Sequence, residues 1–168
     1  DYIYHRYIFD FEDMTQFPKD LRQWLNDNCV ISLPTLITES IAPDGKTRKI
    51  LVEMTDQSRV EAVLMEQYYG YSVCVSSQVG CAMGCVFCAS TQGGLYRDLT
   101  VAEIIGQVVI FGALTKEEIH SVVVMGAGEP LQNYDNVLQA LQLLHDPMIC
   151  NISYRKMTIS TCGWVPNI

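Results

Sequence analysis

Residues 71–88 read YSVCVSSQVGCAMGCVFC, an apolar run that leads directly into three closely spaced cysteines. The pattern over 71–77 predicts a β-strand. Cys81, Cys85 and Cys88 follow it with the spacing C-x3-C-x2-C. Because the active groups of βα barrels lie in the loops after the strands, this stretch predicts a strand and a site together.

The chain beyond the cysteines alternates between helix and strand patterns. Thr100 and Glu103 form a capping box that predicts the start of an apolar helix, and Gly112 is placed to end it. Further strands are predicted over 121–125 and 156–161, with an amphipathic helix between them. This alternation is typical of parallel βα units. The predicted fold class is therefore α/β, comprising the first two and a half units of a βα barrel.

The part before residue 71 has a different pattern. Apolar side chains have helix-like spacing on both sides of Pro18, and β-rich runs with turn signals follow after residue 29. The chain starts without Met and stops just after a strand pattern, so we expect it to be part of a longer protein. Three regions are predicted: a helical accessory segment at 1–29, a small antiparallel β region at 30–70 with strands at 31–41, 49–54 and 59–65, and the truncated barrel core at 71–168.

Composition restricts the class of protein. No apolar run approaches the roughly 20 residues of a membrane span, and the first residues do not resemble a signal segment, so we expect a cytoplasmic protein without membrane contact. We also expect a monomer. A net charge of −8 argues against a nucleic-acid partner. Five cations are nevertheless candidates for a local basic surface: Lys46, Arg48, Lys49, Arg59 and Arg97.

The seven cysteines favour metal or redox chemistry over a disulfide framework, since their number is odd and three are clustered. Three thiolates can hold a 4Fe-4S cluster and leave one iron open to a ligand. Gly80 and Gly84 would let the loop wrap closely around such a cluster. A zinc site completed by Cys74 or a distant group, and plain burial of the three thiols, are the alternatives.

Two later loops should lie beside the cysteine loop, because they also follow predicted parallel strands. Gly128 and Glu129 belong to the run Gly126-Ala127-Gly128-Glu129-Pro130, where a ligand could approach the backbone and an ammonium group could bind the carboxylate. Ser160 ends the third strand. An ordinary turn with a solvated Glu and a plain strand end are the alternative interpretations.

These residues resemble a known family, the radical S-adenosylmethionine (SAM) adenine-C2 methyltransferases of 23S ribosomal RNA and transfer RNA, called the RlmN type. The resemblance rests on the runs 74–88, 97–108, 125–130 and 160–163, and extends weakly to 11–15, so it covers nearly all of the chain. It implies that the barrel is a partial radical SAM barrel. It also implies metal and cofactor roles for six residues: a 4Fe-4S cluster on Cys81, Cys85 and Cys88, and SAM bound at Gly128, Glu129 and Ser160.

The same resemblance implies a reaction sequence. Reductive cleavage of SAM gives methionine and a 5′-deoxyadenosyl radical, with electrons from a donor such as a flavodoxin system. A methyl group is carried on a cysteine near the C-terminus, activated there, and added to the adenine ring. Glu61 matches a proton acceptor, and Cys74 matches a cysteine that releases the RNA by forming a transient disulfide. The methyl-carrying cysteine would lie beyond Ile168, so we expect this chain to bind iron but not to methylate RNA.

Other functions fit part of the pattern. Cfr-type enzymes, which methylate carbon 8 of adenine, share much of it, and other radical SAM reactions share the cysteine spacing. An iron-sulfur or zinc-binding module without catalysis is the alternative from a different class.

Overall fold

The computed structural model describes residues 1–167. Its centre is a six-stranded sheet with the strand order β1-β2-β3-β4-β7-β8. The first four strands pair antiparallel, whereas β4, β7 and β8 are parallel, which confirms the predicted α/β class. The strands of this sheet are β1 (Thr35–Ile41), β2 (Thr47–Glu53), β3 (Arg59–Gln67), β4 (Gly70–Val75), β7 (Ile119–Val124) and β8 (Met157–Ile159).

Two short strands form a separate pair that carries the cysteine loop. These are β5 (Gln78–Gly80) and β6 (Leu95–Asp98), which pair antiparallel on either side of that loop. The helices are α1 (Lys19–Asn28), α2 (Val101–Thr115) and α3 (Tyr134–His145). None of the helices in the described part of the chain has the length and apolar character to span a membrane.

The core lies between one face of the sheet and the helices α2 and α3. Alternate residues of the strands point to this face and are buried, as expected for a sheet covered on one side. The strand residues of the core are Ile50, Val52, Val60, Ala62, Leu64, Val73, Val75, Val122 and Val124. The opposite face, named here the open face, includes Lys49, Leu51, Glu61, Val63 and Cys74, and all five are half-buried or exposed.

The N-terminal half contains helices and antiparallel strands, as predicted, but the bounds of the strands and of the sheet differ from the prediction. A short 3-10 helix (Phe11–Asp13) and α1 lie on the two sides of Pro18, as predicted. The antiparallel strands β1–β3 join the barrel strands through the β3–β4 pairing, so one sheet runs through the predicted boundary at residue 70. The strand predicted at 31–41 begins only at Thr35, directly after Pro34, which has no N–H to donate to a neighbouring strand and whose ring lies against α2 at Gly106.

The helix α2 begins as predicted but ends later. The Thr100 hydroxyl accepts from the Glu103 N–H, and the Glu103 carboxylate accepts from the Thr100 N–H, which completes the capping box. The helix does not stop at Gly112 but continues to Thr115, and Lys116 caps it in the left-handed conformation. A Cβ at residue 112 would lie 2.3 Å from the Tyr7 hydroxyl oxygen. Gly112 therefore serves helix packing and not helix termination.

A buried glutamine connects α2 to the end of β4. Gln107 is fully buried, and its side chain accepts from the Ser76 N–H at 2.9 Å and donates to the Ser76 carbonyl at 3.1 Å. Both backbone groups of Ser76 lie where the chain leaves the sheet, so they lose their strand partners there. The amide of Gln107 replaces these partners.

We predict that Gln107→Leu lowers the free energy of unfolding by about 1–3 kcal/mol, because two buried backbone groups lose their partner. Urea denaturation of the chain measures the change. Gln142→Leu on the exposed face of α3 is the matched control and should change stability by less than about 0.5 kcal/mol. Equal stability of the two variants would contradict the proposed role of Gln107.

Candidate active site

Three loops meet at the edge where the parallel strands end. The Gly126 N–H donates to the Val75 carbonyl at 3.0 Å, and the Ser160 N–H donates to the Val124 carbonyl at 3.3 Å. The loops after β4, β7 and β8 are therefore neighbours. This is the geometry in which βα proteins place their active groups.

The segment 76–78 joins these loops with buried polar side chains. The Ser76 hydroxyl donates to the Glu61 carbonyl at 2.8 Å and accepts from the Ala127 N–H at 2.9 Å. The Ala127 carbonyl in turn accepts from the N–H groups of Ser77 and Gln78. The sequence prediction placed Ser76 and Ser77 in the strand over 71–77, whereas β4 ends at Val75 because the next polar residues bond to neighbouring loops and to α2. The segment 76–78 is named here the polar joint.

Gln78 and Asn133 extend the polar joint in two directions. The Gln78 side chain donates to Asp98 Oδ1 at 2.7 Å and accepts from the Glu129 N–H at 2.8 Å. The Asn133 amide donates to the carbonyls of Ser77 and Leu99 at 2.7 and 2.8 Å. The base of the cysteine loop is thus tied both to β6 and to the loop after β7.

The cysteine loop has a defined backbone shape. The Cys81 N–H donates to the Gly94 carbonyl at 3.0 Å, and the Thr91 hydroxyl accepts from the Gly84 N–H at 2.8 Å. Gly80 and Gly84 adopt left-handed backbone angles, as expected for a closely wrapped loop. Within this frame, Val86 and Phe87 at the loop tip are exposed to solvent.

The chemistry of the three thiols fits an iron-sulfur cluster. Cys81 is buried, Cys85 and Cys88 are half-buried, and all three are free. The loop offers thiols without His, Asp or Glu, which suits iron-sulfur ligation better than catalytic zinc. Across residues 1–167, however, no three His, Cys, Asp or Glu side chains converge into a ready-made metal site.

Glu129 ties the loop after β7 to the loop after β8. It is 3% exposed. Its Oε2 accepts from the Cys162 N–H at 2.8 Å, and its Oε1 accepts from the Leu131 N–H at 3.0 Å and from the Thr161 hydroxyl. Both oxygens are engaged by the protein, so a ligand ammonium would have to displace one of these donors. Burial raises the pKa of Glu129, but the hydrogen bonds outweigh it and hold that pKa below its ordinary value.

The other residues predicted for the cofactor lie at the same edge. Gly128 has a φ of +109°, and a Cβ there would lie 2.8 Å from the Gln78 backbone nitrogen, so this position requires glycine for its approach to the polar joint. Ser160 is exposed at the end of β8. In the next residues, Cys162 Sγ lies 3.2 Å from Met83 Sδ, which places the loop after β8 against the cysteine loop.

Glu61 and Cys74 both lie on the open face of the sheet. Cys74 pairs with Val63 on β3, two residues from Glu61 along that strand. Burial raises the pKa of the Cys74 thiol, and a hydrogen bond with the Met125 backbone offsets only part of this effect. The Glu61 carboxylate is exposed and forms an ion pair with Lys49, with 2.9 Å between Oε1 and Nζ.

The local basic surface considered from the sequence does not form. Four of its five cations are paired with carboxylates: Arg97 with Asp56 and Glu103, Arg48 with Glu39, Lys49 with Glu61, and Arg59 with Glu53. Of that set, Lys46 alone has no ion pair within residues 1–167. The prediction considered the positive charges alone, whereas the fold brings carboxylates from strands, a turn and α2 beside them.

Comparison with known proteins connects this geometry to a family. The family model described as the radical SAM superfamily matches residues 75–168. A probable dual-specificity RNA methyltransferase RlmN of Clostridium perfringens (strain 13 / Type A) is 45% identical over 168 residues, which cover 100% of this chain and 48% of the relative. A protein of the same description from Symbiobacterium thermophilum is 48% identical over 169 residues, which cover 99% of this chain and 46% of that relative.

A solved structure agrees with these sequence matches. The crystal structure of a radical SAM methyltransferase from Sphaerobacter thermophilus has a TM-score of 0.91 to this chain at 38% identity. The alignment covers 98% of this chain and 49% of that one. The chain therefore spans about half the length of the proteins it matches.

We predict that Glu129→Gln lowers the free energy of unfolding at pH 7 by about 1–3 kcal/mol, because the amide cannot accept all three hydrogen bonds. A carboxyl group with a lowered pKa stabilises the fold above its unfolded pKa, and this contribution is lost as the pH falls through the folded pKa. The stability gap between wild type and variant should therefore narrow below about pH 4.5.

Urea denaturation between pH 3 and pH 7 measures this gap. The exposed Glu117→Gln is the matched control and should show little gap at any pH. A gap for Glu129→Gln that stays constant on acidification would contradict the assigned hydrogen bonds.

Proposed function

This chain belongs to the radical SAM superfamily, and on that premise we propose that it is the cofactor-binding half of an RNA methyltransferase that acts on carbon 2 of adenine in 23S ribosomal RNA and transfer RNA. The single observation that carries the proposal is the loop of three free thiols at the edge where the parallel strands end. The polar joint ties this loop to the loop after β7 and, through Ser76, to the backbone of Glu61 on β3. Relatives described as dual-specificity RNA methyltransferases support the choice of substrate class.

Six residues would hold the cofactors of the superfamily. In the proposal, the thiolates of Cys81, Cys85 and Cys88 bind the 4Fe-4S cluster, and Gly128, Glu129 and Ser160 bind SAM at the adjoining loops. When bound, the cluster and SAM supply a carbon radical, which can attack a ring carbon too electron-poor to act as a nucleophile. Glu129 also keeps the loops after β7 and β8 together, so its contribution to SAM binding is partly structural.

Glu61 and Cys74 would act on the RNA from the open face. Glu61 accepts the proton that leaves carbon 2 of the adenine adduct. The one electron that addition of the carbon radical leaves in excess on the ring would return to the iron-sulfur cluster, so that the adduct is closed-shell before the next step. The Cys74 thiolate attacks the sulfur of a methyl-carrying cysteine outside this chain, and the sulfur–carbon bond to the adduct breaks. A disulfide forms, the electron pair stays on the released carbon, and that carbon takes a proton to become the methyl group of the product. Because the pKa of Cys74 is raised, this thiol needs a base or a conformational change to become a thiolate.

The proposed enzyme also requires an electron donor and a surface that binds RNA. Cleavage of SAM is reductive, so the full protein needs a one-electron donor, such as a flavodoxin system. We further propose a cytoplasmic, monomeric enzyme. The net charge of −8 and the paired cations leave little basic surface on this half, so contacts with RNA phosphates would come mainly from the other half.

We predict that anaerobic reconstitution with iron and sulfide loads the chain with about four irons. Alanine at Cys81, Cys85 or Cys88 should abolish stable loading, since each removes one of three thiolate ligands. Metal analysis and visible absorbance measure the loading, and electron paramagnetic resonance of the reduced sample should change when SAM is added. Cys29→Ala, outside the loop, is the matched control. Zinc without iron, or a spectrum that SAM does not change, would contradict the proposal.

We predict that Glu61→Gln and Cys74→Ala in the full-length protein slow methylation by about a hundredfold or more and cause a covalent protein–RNA adduct to accumulate. Denaturing gels detect the adduct, and mass spectrometry of nucleosides locates the methyl group. Glu66→Gln on the same strand is the matched control. Methylation at carbon 8 would identify the alternative activity instead.

A further inference from the structure

Lys49 and Glu61 form an exposed ion pair on the open face of the sheet. The side chains are 51% and 57% exposed. Exposed pairs of this kind contribute at most about 1 kcal/mol to folding, so the fold does not depend on this one. Its location on the open face, beside the strand that carries Cys74, indicates a role in the reaction.

Glu61 is held at two points. The Ser76 hydroxyl donates to the backbone carbonyl of Glu61 at 2.8 Å, which fixes the Glu61 backbone beside the end of β4. Lys49 Nζ binds the carboxylate through Oε1 at 2.9 Å. Lys49 lies opposite Val63 in the β2–β3 register, so it reaches diagonally across to Glu61. Within residues 1–167, Oε2 has no hydrogen-bond partner and can accept a proton.

Other cations on these strands do not serve Glu61. Arg48, next to Lys49, points to the opposite face because neighbouring residues of a strand alternate, and it pairs with Glu39 at 3.4 Å. Arg59, two residues before Glu61, pairs with Glu53 at 2.7 Å. Lys49 is therefore the cation assigned to Glu61 by the sheet register.

We propose that Lys49 is a positioning residue for Glu61: its ammonium holds the carboxylate through Oε1 and so turns Oε2 toward the place where it can accept the adenine carbon 2 proton. This inference rests on the proposed function. The step is a proton transfer only: the carbon–hydrogen bond breaks, its electron pair stays on the ring, and the proton goes to Oε2. No oxidant or reductant enters it.

The test uses the full-length holoenzyme with Lys49→Met, which keeps the length of the side chain and removes its charge. Methylation should slow by about tenfold or more, and the covalent RNA adduct should accumulate as in Glu61→Gln. Lys49→Arg should restore most of the rate, because it retains a cationic donor. The double variant Lys49→Met/Glu61→Gln should be no slower than Glu61→Gln alone, since the two residues act as one unit.

Arg48→Met is the matched control, since it removes an exposed ion pair from the same strand on the opposite face, and it should leave the rate and the adduct level unchanged. A wild-type rate for Lys49→Met, or a slower rate without adduct, overturns this inference alone. Absence of methylation by the wild type, or of adduct with Glu61→Gln, overturns the proposed function and this inference with it.

Discussion

The arrangement of the site depends on how the backbone of Ser76 is satisfied where it leaves β4. A chain that turns out of a sheet into a buried position loses its strand partners, and unpaired backbone groups there are costly. Gln107 supplies an acceptor and a donor from α2, which frees the Ser76 hydroxyl to bridge Glu61 and Ala127. Helix packing, the loop after β7 and the position of Glu61 are coupled through this one residue.

The elements of the fold were predictable because their signals are local. The capping box at Thr100, the apolar runs and the cysteine spacing each depend on neighbours in sequence, and the parallel direction of β4, β7 and β8 follows from the alternation of strands and helices. The polar contacts were not predictable in this way. Gln107 interrupts an apolar helix, and its partner Ser76 lies 31 residues away, so no periodic pattern links the two.

The two wrong predictions, the helix end at Gly112 and the basic surface, also result from contacts between residues that are distant in the sequence. Gly112 has the residue type of a helix end, but the ring of Tyr7, distant in sequence, occupies the space beside it. Arg97 counted toward a basic surface, yet it binds Asp56 in the β2–β3 turn and Glu103 in the capping box. Its hydrogen bonds hold the pKa of the Asp56 carboxyl well below its usual range. Arg97 therefore joins the antiparallel strands to α2, and its charge is neutralised locally.

The two faces of the sheet have different roles: one forms the core, and the other carries exposed polar side chains. The face packed on α2 and α3 is apolar and buried, and it holds the strand ends in place so that their loops meet. The open face carries Lys49, Glu61 and Cys74, whose side chains are half-buried or exposed because no helix of the described residues covers them. The proposed function depends on this difference between the faces. The carboxylate of Glu61 and the thiol of Cys74 can meet a substrate only because their face of the sheet is not packed against α2 and α3.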